Sequence, residues 1–205
     1  MKMMSRIVLA AILCSVSAWA QPVSVGVKGG LPIASVTQDS PCPFCARQNR
    51  YVAGVSVEVR LPRRLAIEAD GLVRRLHATY SAFQLHTPFG ISGPVSGYDW
   101  ELPVLLKYKA RSRKLSPFAG LGPSFRHVGT LRGTGLRTDF SLQNVPEAIT
   151  FDPPKDLGIG IAAGAGVTKK LGVLRVSPEI RYTRWTEEFF QPNKNQVELL
   201  LGVHF

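Results

Sequence analysis

The last eleven residues, Asn195 to Phe205, read NQVELLLGVHF, and their alternate positions differ in polarity. One set of positions is apolar and the other is mostly polar. The apolar set comprises Val197, Leu199, Leu201, Val203 and Phe205, and the other set comprises Gln196, Glu198, Leu200, Gly202 and His204. Because successive side chains of a β-strand point to opposite faces, this stretch predicts a strand with one apolar and one polar face.

The same alternation recurs in seven earlier stretches. They span residues 23–31, 51–61, 65–76, 98–109, 116–128, 157–168 and 174–183. The connections between them alternate between long and short. Tilted strands of about 9 to 11 residues cross a bilayer, and outer-membrane barrels have even strand numbers with short turns on the periplasmic side. The sequence therefore predicts an all-β, eight-stranded antiparallel up-and-down transmembrane β-barrel with both termini in the periplasm.

The first twenty residues have the features of a secretory signal peptide. Lys2 and Arg6 precede an apolar run from Ile7 to Val16, and Ala18-Trp19-Ala20 supplies a small-x-small cleavage site. We expect residues 1–20 to be removed and residues 21–205 to form one barrel domain. The formal net charge of +11 would suggest a nucleic-acid partner in a cytosolic protein, and export argues against that partner.

Four segments resemble the small bacterial outer-membrane β-barrel family, the porin-like or opacity-type barrel domain. They are WELPVLLKY (100–108), SPFAGLGPSFR (116–126), SPEIRYTRW (177–185) and the terminal NQVELLLGVHF. The resemblance covers essentially all of the mature chain and implies a monomer in the outer membrane. It also implies that Phe205 is the signal by which the barrel-assembly machinery recognises the final strand.

The same resemblance implies a structural or surface-interaction role, adhesion-like, in which outer loops contact an unknown surface partner and lipid surrounds the barrel. A soluble barrel or sandwich, with its apolar face inward, has the same periodicity. Aromatic residues near the predicted strand ends favour the membrane barrel, because such barrels carry aromatic girdles. These residues are Tyr51, Tyr98, Trp100, Tyr108, Tyr182, Trp185 and Phe205.

The polar faces of the predicted strands carry nearly equal numbers of acids and bases. Buried charges need partners, and an eight-stranded barrel has room only for side chains or one small ligand. We therefore expect ion pairs to fill the lumen and no open pore to form; an ion path or a narrow channel for small solutes is the alternative. The predicted network comprises Glu58, Arg60, Glu68, Asp70, Asp99, Glu101, Lys107, Arg126, Arg175, Glu179, Arg181 and Glu198, and Lys28, Arg74 and Lys109 lie on the same faces.

Short turns predict the register of neighbouring strands. Closing the turn after the fourth strand places Asp99 opposite Arg126, and opposite charges favour a pair across the ladder. Closing the turn after the sixth strand places Gly160 opposite Arg181. The glycine would then leave room for the large side chain.

No residue pattern indicates catalysis, a metal or a cofactor. Barrels that deacylate lipids resemble one another in a His-x-Ser pair on a lipid-facing strand, but Ala78-Thr79 follows His77 and Val128-Gly129 follows His127. We predict that the protein is not an enzyme. A lipid-modifying enzyme is the alternative, and it would require a histidine, a serine and an acid to converge on the lipid face near the outer rim.

Cys42 and Cys45 lie in the first long connection, within Cys42-Pro43-Phe44-Cys45. They are compatible with a redox pair, with two ligands of a metal site or with a local disulfide. A four-ligand zinc site lacks its other half, because neither a second cysteine pair nor a His-x-x-x-His motif follows. Outside the cytoplasm, a disulfide is the expected state.

Overall fold

The computed structural model describes residues 23–34, 46–48, 51–83, 90–110, 115–138, 144–152, 157–186 and 194–205. Eleven strands form within them. They are β1 (Val23–Ala34), β2 (Ala46–Gln48), β3 (Val52–Arg60), β4 (Leu65–Phe83), β5 (Gly90–Lys109), β6 (Ser116–Val128), β7 (Leu131–Thr138), β8 (Asn144–Phe151), β9 (Leu157–Leu171), β10 (Leu174–Trp185) and β11 (Asn195–His204). The described residues include no helix long and apolar enough to span a bilayer.

Eight of these strands close into a barrel. Going around it, the order is β4, β3, β1, β11, β10, β9, β6 and β5, and pairing of β5 with β4 completes the circle. Every pairing is antiparallel. The predicted eight-stranded antiparallel barrel is confirmed. We call the end that holds Val23 and Phe205 the terminal end, and the opposite end the loop end.

Three further strands lie at the loop end, in segments that the sequence analysis treated as connections. Strand β2 pairs with β4, and the β7–β8 hairpin pairs with the extension of β5. Strands β4 and β5 also continue to Phe83 and from Gly90, so the predicted connection across residues 77–97 is wrong. The glycines of this segment are typical of turns, but they lie in strands whose backbones approach closely. A Cβ on Gly93, for example, would come within 2.3 Å of Gly135 Cα.

The strands bury their polar faces and expose their apolar faces. On β10, Glu179 and Arg181 are buried while Ile180 and Tyr182 are exposed, and on β5 Glu101 is buried while Trp100 and Leu102 are exposed. A water-soluble barrel would have the opposite arrangement. The chain therefore places its charged residues in the lumen and its apolar residues on the outside.

One predicted girdle residue, Trp185, does not lie on the exterior. Its side chain is only 3% exposed, and its Nε1 donates a hydrogen bond of 3.1 Å to Oε1 of Gln196. Strand β10 runs on to Trp185, which takes the inward direction of Arg181 and Thr183 at period two. The other predicted girdle residues are exposed, namely Tyr51, Tyr98, Trp100, Tyr108, Tyr182 and Phe205.

The predicted register between β5 and β6 is wrong by two residues. Asp99 lies opposite Val128, and Glu101 lies opposite Arg126. The connecting turn is wider than assumed, because Lys109 pairs with Phe118 and Ala110 N donates to Pro117 O. Asp99 and Arg126 still form a diagonal ion pair, with Oδ2 and Nη2 2.5 Å apart.

The predicted register between β9 and β10 is wrong by four residues. Gly164 lies opposite Arg181, and Gly160 lies opposite Trp185. Strand β9 continues to Leu171, so the hairpin turns through only two residues, the first of which is Gly172 with φ of 61°. Glycine fits this turn because it adopts positive φ without steric strain.

Candidate functional site

The centre of the lumen holds a cluster of three cations and three carboxylates. This central cluster consists of Lys28, Glu68, Asp70, Lys107, Glu179 and Arg181. Arg181 Nη2 lies 2.7 Å from both Asp70 Oδ2 and Glu179 Oε1. Because β1, β4, β5 and β10 each contribute, the cluster links strands on different sides of the barrel.

The lysines of the central cluster each bridge several carboxylates. Lys28 Nζ lies 2.5 Å from Glu68 Oε1 and 3.2 Å from Glu179 Oε2, and Lys107 Nζ lies 2.6 Å and 3.0 Å from the same two atoms. Both side chains are at most 2% exposed. Burial in a medium of low dielectric makes such pairing necessary, because an unpartnered charge there is strongly unfavourable.

A second cluster lies toward the loop end and consists of Arg74, Asp99, Glu101, Arg126 and Glu198. Arg74 pairs with all three acids, including Glu198 Oε1 at 3.0 Å from its Nη2. Ser124 and Gln196 donate hydrogen bonds to the Glu101 carboxylate at 3.1 and 3.2 Å. Three acids thus share two guanidinium groups in this loop-end cluster.

A third cluster lies at the terminal end, where three cations surround Glu58. Lys109 Nζ lies 2.5 Å from Glu58 Oε2. On the other carboxylate oxygen, Oε1, Arg175 Nη1 lies at 3.4 Å and Arg60 Nε at 3.8 Å. Arg60 remains 42% exposed at this mouth. Arg175 Nη2 also lies 3.5 Å from the backbone O of Phe205.

Beyond the loop-end cluster, the inward side chains become apolar. Leu76, Val95, Val128, Leu131 and Ile149 form a buried cluster to which β4 to β8 all contribute. Tyr80, Ile91 and Phe151 pack against it. Charged side chains therefore occupy the lumen up to Asp99, and apolar side chains occupy the interior past that level.

The structure places each residue of the predicted lumen network on the inward face and in at least one ion pair. The sequence placed Lys28 and Arg74 on the same inward faces but outside the predicted network, and the structure adds both to it, because each bridges several carboxylates. Sequence reasoning missed Gln196, which joins Trp185 to Glu101. For Gln196 the available signal was its inward position two residues before Glu198 on the same strand.

The remaining sequence-based candidates fall elsewhere. Cys42, Cys45 and the predicted signal peptide lie outside the described residues. Within the described ranges, no group of three or more His, Cys, Asp or Glu side chains is arranged to hold a metal ion. His204 is buried in the lumen, with Nε2 3.1 Å from Ser56 Oγ.

A histidine and a serine do meet on the outward face at the loop end. His77 on β4 lies directly opposite Ser96 on β5, and Ser96 lies opposite Arg132 on β7. His77 and Ser96 are not hydrogen-bonded to each other, and no carboxylate pairs with His77 among the described residues. Strand pairing brings the two residues together although they are far apart in the sequence, so no local sequence motif indicates this neighbourhood.

Comparison with known proteins gives structural neighbours only. No protein-family model matches this chain. No curated protein matches it either. Neisserial surface protein A is 12% identical with a TM-score of 0.47, covering 89% of this chain and 95% of its own. The N-terminal β-barrel domain of Pseudomonas aeruginosa OprF is 11% identical with a TM-score of 0.44, covering 90% and 98%.

A third neighbour is the attachment invasion locus protein of Yersinia pestis in complex with the heparin analogue sucrose octasulfate. It is 9% identical with a TM-score of 0.43, and the match covers 89% of this chain and 94% of that protein.

Proposed function

We propose that this protein is an integral barrel of a bacterial outer membrane with a structural or surface-interaction role. The observation that carries the proposal is the outward apolar band. On β5 the band runs from Tyr98 to Tyr108 through Trp100, Leu102 and Leu106, all of which are about half exposed. Ten residue steps of ~3.4 Å, tilted by ~40°, correspond to roughly 26 Å along the barrel axis, close to the apolar height of outer-membrane barrels.

The connections support an orientation with the terminal end in the periplasm. The terminal end carries the short turns, including the two-residue β9–β10 turn, and the loop end carries the additional strands β2, β7 and β8. Outer-membrane barrels place short turns in the periplasm and longer loops outside. The loop end then faces the surroundings of the cell, where its strands offer the surface for a partner.

The ion-paired lumen and the apolar cluster beyond it support a filled barrel that is not an open pore. Eight strands enclose a space that side chains fill, whereas open aqueous channels appear at about sixteen strands. In the central cluster, three cations offset three carboxylates. A water column with one dominant charge is therefore not expected, and neither is a narrow channel for small solutes.

Two measurements test this proposal. The refolded protein should migrate faster on a denaturing gel when unheated than when heated, because a closed barrel resists detergent unfolding. In planar bilayers it should produce no steady single-channel steps. A gel mobility unaffected by heating would refute the barrel, and reproducible steps that persist on dilution would refute the filled lumen.

A lipid-modifying enzyme is a second candidate, favoured by His77 lying opposite Ser96 on the outward face. A hydroxyl activated by a neighbouring imidazole is a nucleophile for acyl transfer. Mass spectrometry of lipid A incubated with the purified protein tests this candidate. Acyl release that Ser96→Ala abolishes and Thr134→Ala retains would establish the enzyme, and equal mass spectra with and without protein would exclude it.

A further inference from the structure

A patch of basic and hydroxyl side chains lies on the outside of the barrel at the loop end. This rim patch consists of Arg75, His77, Ser96, Tyr98 and Arg132. Strand pairing arranges it in rows, with Arg75 opposite Tyr98 and with His77 and Arg132 on either side of Ser96. Neighbouring strands are ~4.8 Å apart and alternate residues ~7 Å apart, so the backbone positions of both arginines and His77 lie within roughly 12 Å.

The two arginines of the rim patch are exposed and have no partner among the described residues. Arg75 and Arg132 form no ion pair or hydrogen bond there. Among the described residues, the acids of β8 and of the position after it have other partners, because Glu147 pairs with Arg137 and Asp152 accepts a hydrogen bond from Thr130. The arginines thus differ from those of the lumen, each of which contacts carboxylates.

The position of the rim patch indicates what it contacts. Its members point outward, and Trp100 lies on the same face two residues from Tyr98 toward the terminal end. Tryptophan and tyrosine mark the interface of outer-membrane barrels. With the barrel placed in the membrane as proposed, the arginines lie at the level of the lipid headgroups and face the lipid, where an anionic group would offset their charge.

We propose that the rim patch binds the phosphorylated headgroup of a glycolipid in the outer leaflet. Arginine guanidinium groups bind phosphate through paired hydrogen bonds. His77, Ser96 and Tyr98 place further donors beside them, which suits the hydroxyls of a sugar. This inference rests on the proposed outer-membrane orientation, because that orientation places the loop end in the leaflet that contains phosphorylated glycolipid.

The test compares lipids that differ only in phosphate. Full-length protein refolded in neutral detergent is titrated with bis-phosphorylated lipid A, with dephosphorylated lipid A and with phosphatidylglycerol, and bound lipid is counted by native mass spectrometry. Wild type should prefer bis-phosphorylated lipid A. Loss of one interfacial cation should weaken this binding about fivefold, and Arg75→Gln with Arg132→Gln about 30-fold.

The matched control is Arg184→Gln with Lys169→Gln. It removes the same charge from outward-facing, exposed positions away from the rim patch. This control should bind lipid A as wild type does.

Three outcomes overturn the inference. They are equal binding of the phosphorylated and dephosphorylated lipids, unchanged binding by the rim-patch variant, and equal binding of phosphatidylglycerol, which would indicate a general anion surface. Each sample is first checked for heat-dependent gel mobility. Failure of that check in wild type refutes the barrel proposal, whereas a heat-modifiable protein without phosphate preference refutes only the rim patch.

Discussion

Replacing Arg181 with methionine tests whether the central cluster holds the barrel together. Arg181 is fully buried, and its Nη2 lies 2.7 Å from two carboxylates and 3.5 Å from Glu68. Arg181→Met leaves two lysines to neutralise three buried acids. Removing one partner of a buried pair costs about 3 to 5 kcal/mol of unfolding free energy.

The double variant Arg181→Met with Glu179→Gln separates lost charge balance from lost volume. It leaves Lys28 and Lys107 facing Glu68 and Asp70, so the charges of the cluster balance again. It should therefore be more stable than Arg181→Met alone. Removal of both partners is commonly far less destabilising than removal of one.

Urea unfolding of the refolded protein in lipid vesicles, followed by tryptophan fluorescence, measures both variants. Arg184→Met is the control, because Arg184 lies on the same strand but is exposed. It should change stability by less than about 0.5 kcal/mol. An Arg181→Met variant within about 1 kcal/mol of wild type, or a double variant less stable than the single, would show that charge pairing does not stabilise the lumen.

Three further predictions concern packing, a turn and assembly. Gly164→Leu should destabilise the barrel by about 1 to 3 kcal/mol in the same assay, because a Cβ there would come within 2.6 Å of Glu179 Oε1. Ala165→Leu on the exposed face is the control, and the same urea midpoint for both variants would contradict the reasoning. Arg64→Gly should raise the free energy of unfolding by about 0.5 to 1 kcal/mol, because Arg64 has φ of 69° and this left-handed conformation is unfavourable for a residue with a Cβ. A urea midpoint below that of wild type would refute this. Phe205→Ser should reduce the amount of heat-modifiable protein in cell membranes, whereas refolded Phe205→Ser protein should still show heat-dependent gel mobility, because the Phe205 side chain is exposed and takes no part in the lumen clusters. Normal membrane levels would argue against Phe205 as an assembly signal.

The sequence predicted which residues face the lumen, because period-two alternation persists through each barrel strand. Glu179 and Arg181 on β10 illustrate this, since their inward direction needs only the alternation of a single strand. Register depends on turn width as well. The predicted register at the β5–β6 turn differs by two residues from the observed one, in which Asp99 lies opposite Val128. At the β9–β10 turn it differs by four residues, and Gly160 lies opposite Trp185.

The loop end was predicted less well, because local composition and pairing disagree there. Gly93, Pro94 and Gly97 suggested a loop, yet they lie within the paired ladder of β4 and β5. Proline and glycine weaken a strand without excluding it where backbones approach closely. The row of His77, Ser96 and Arg132 likewise has no local sequence motif, because its members come from three different strands.

The pairing of the first and last strands has a consequence for the order of folding. Ser24 Oγ donates to the backbone O of Phe205, 181 residues away along the chain. Contacts of such separation carry a large loop-closure entropy and form late. Until β11 arrives, β1 has a free edge that exposes unpaired backbone groups. We therefore expect the pairing of β1 with β11 to form last, and the unpaired edge of β1 to be the part of the incompletely closed barrel that is most prone to aggregation.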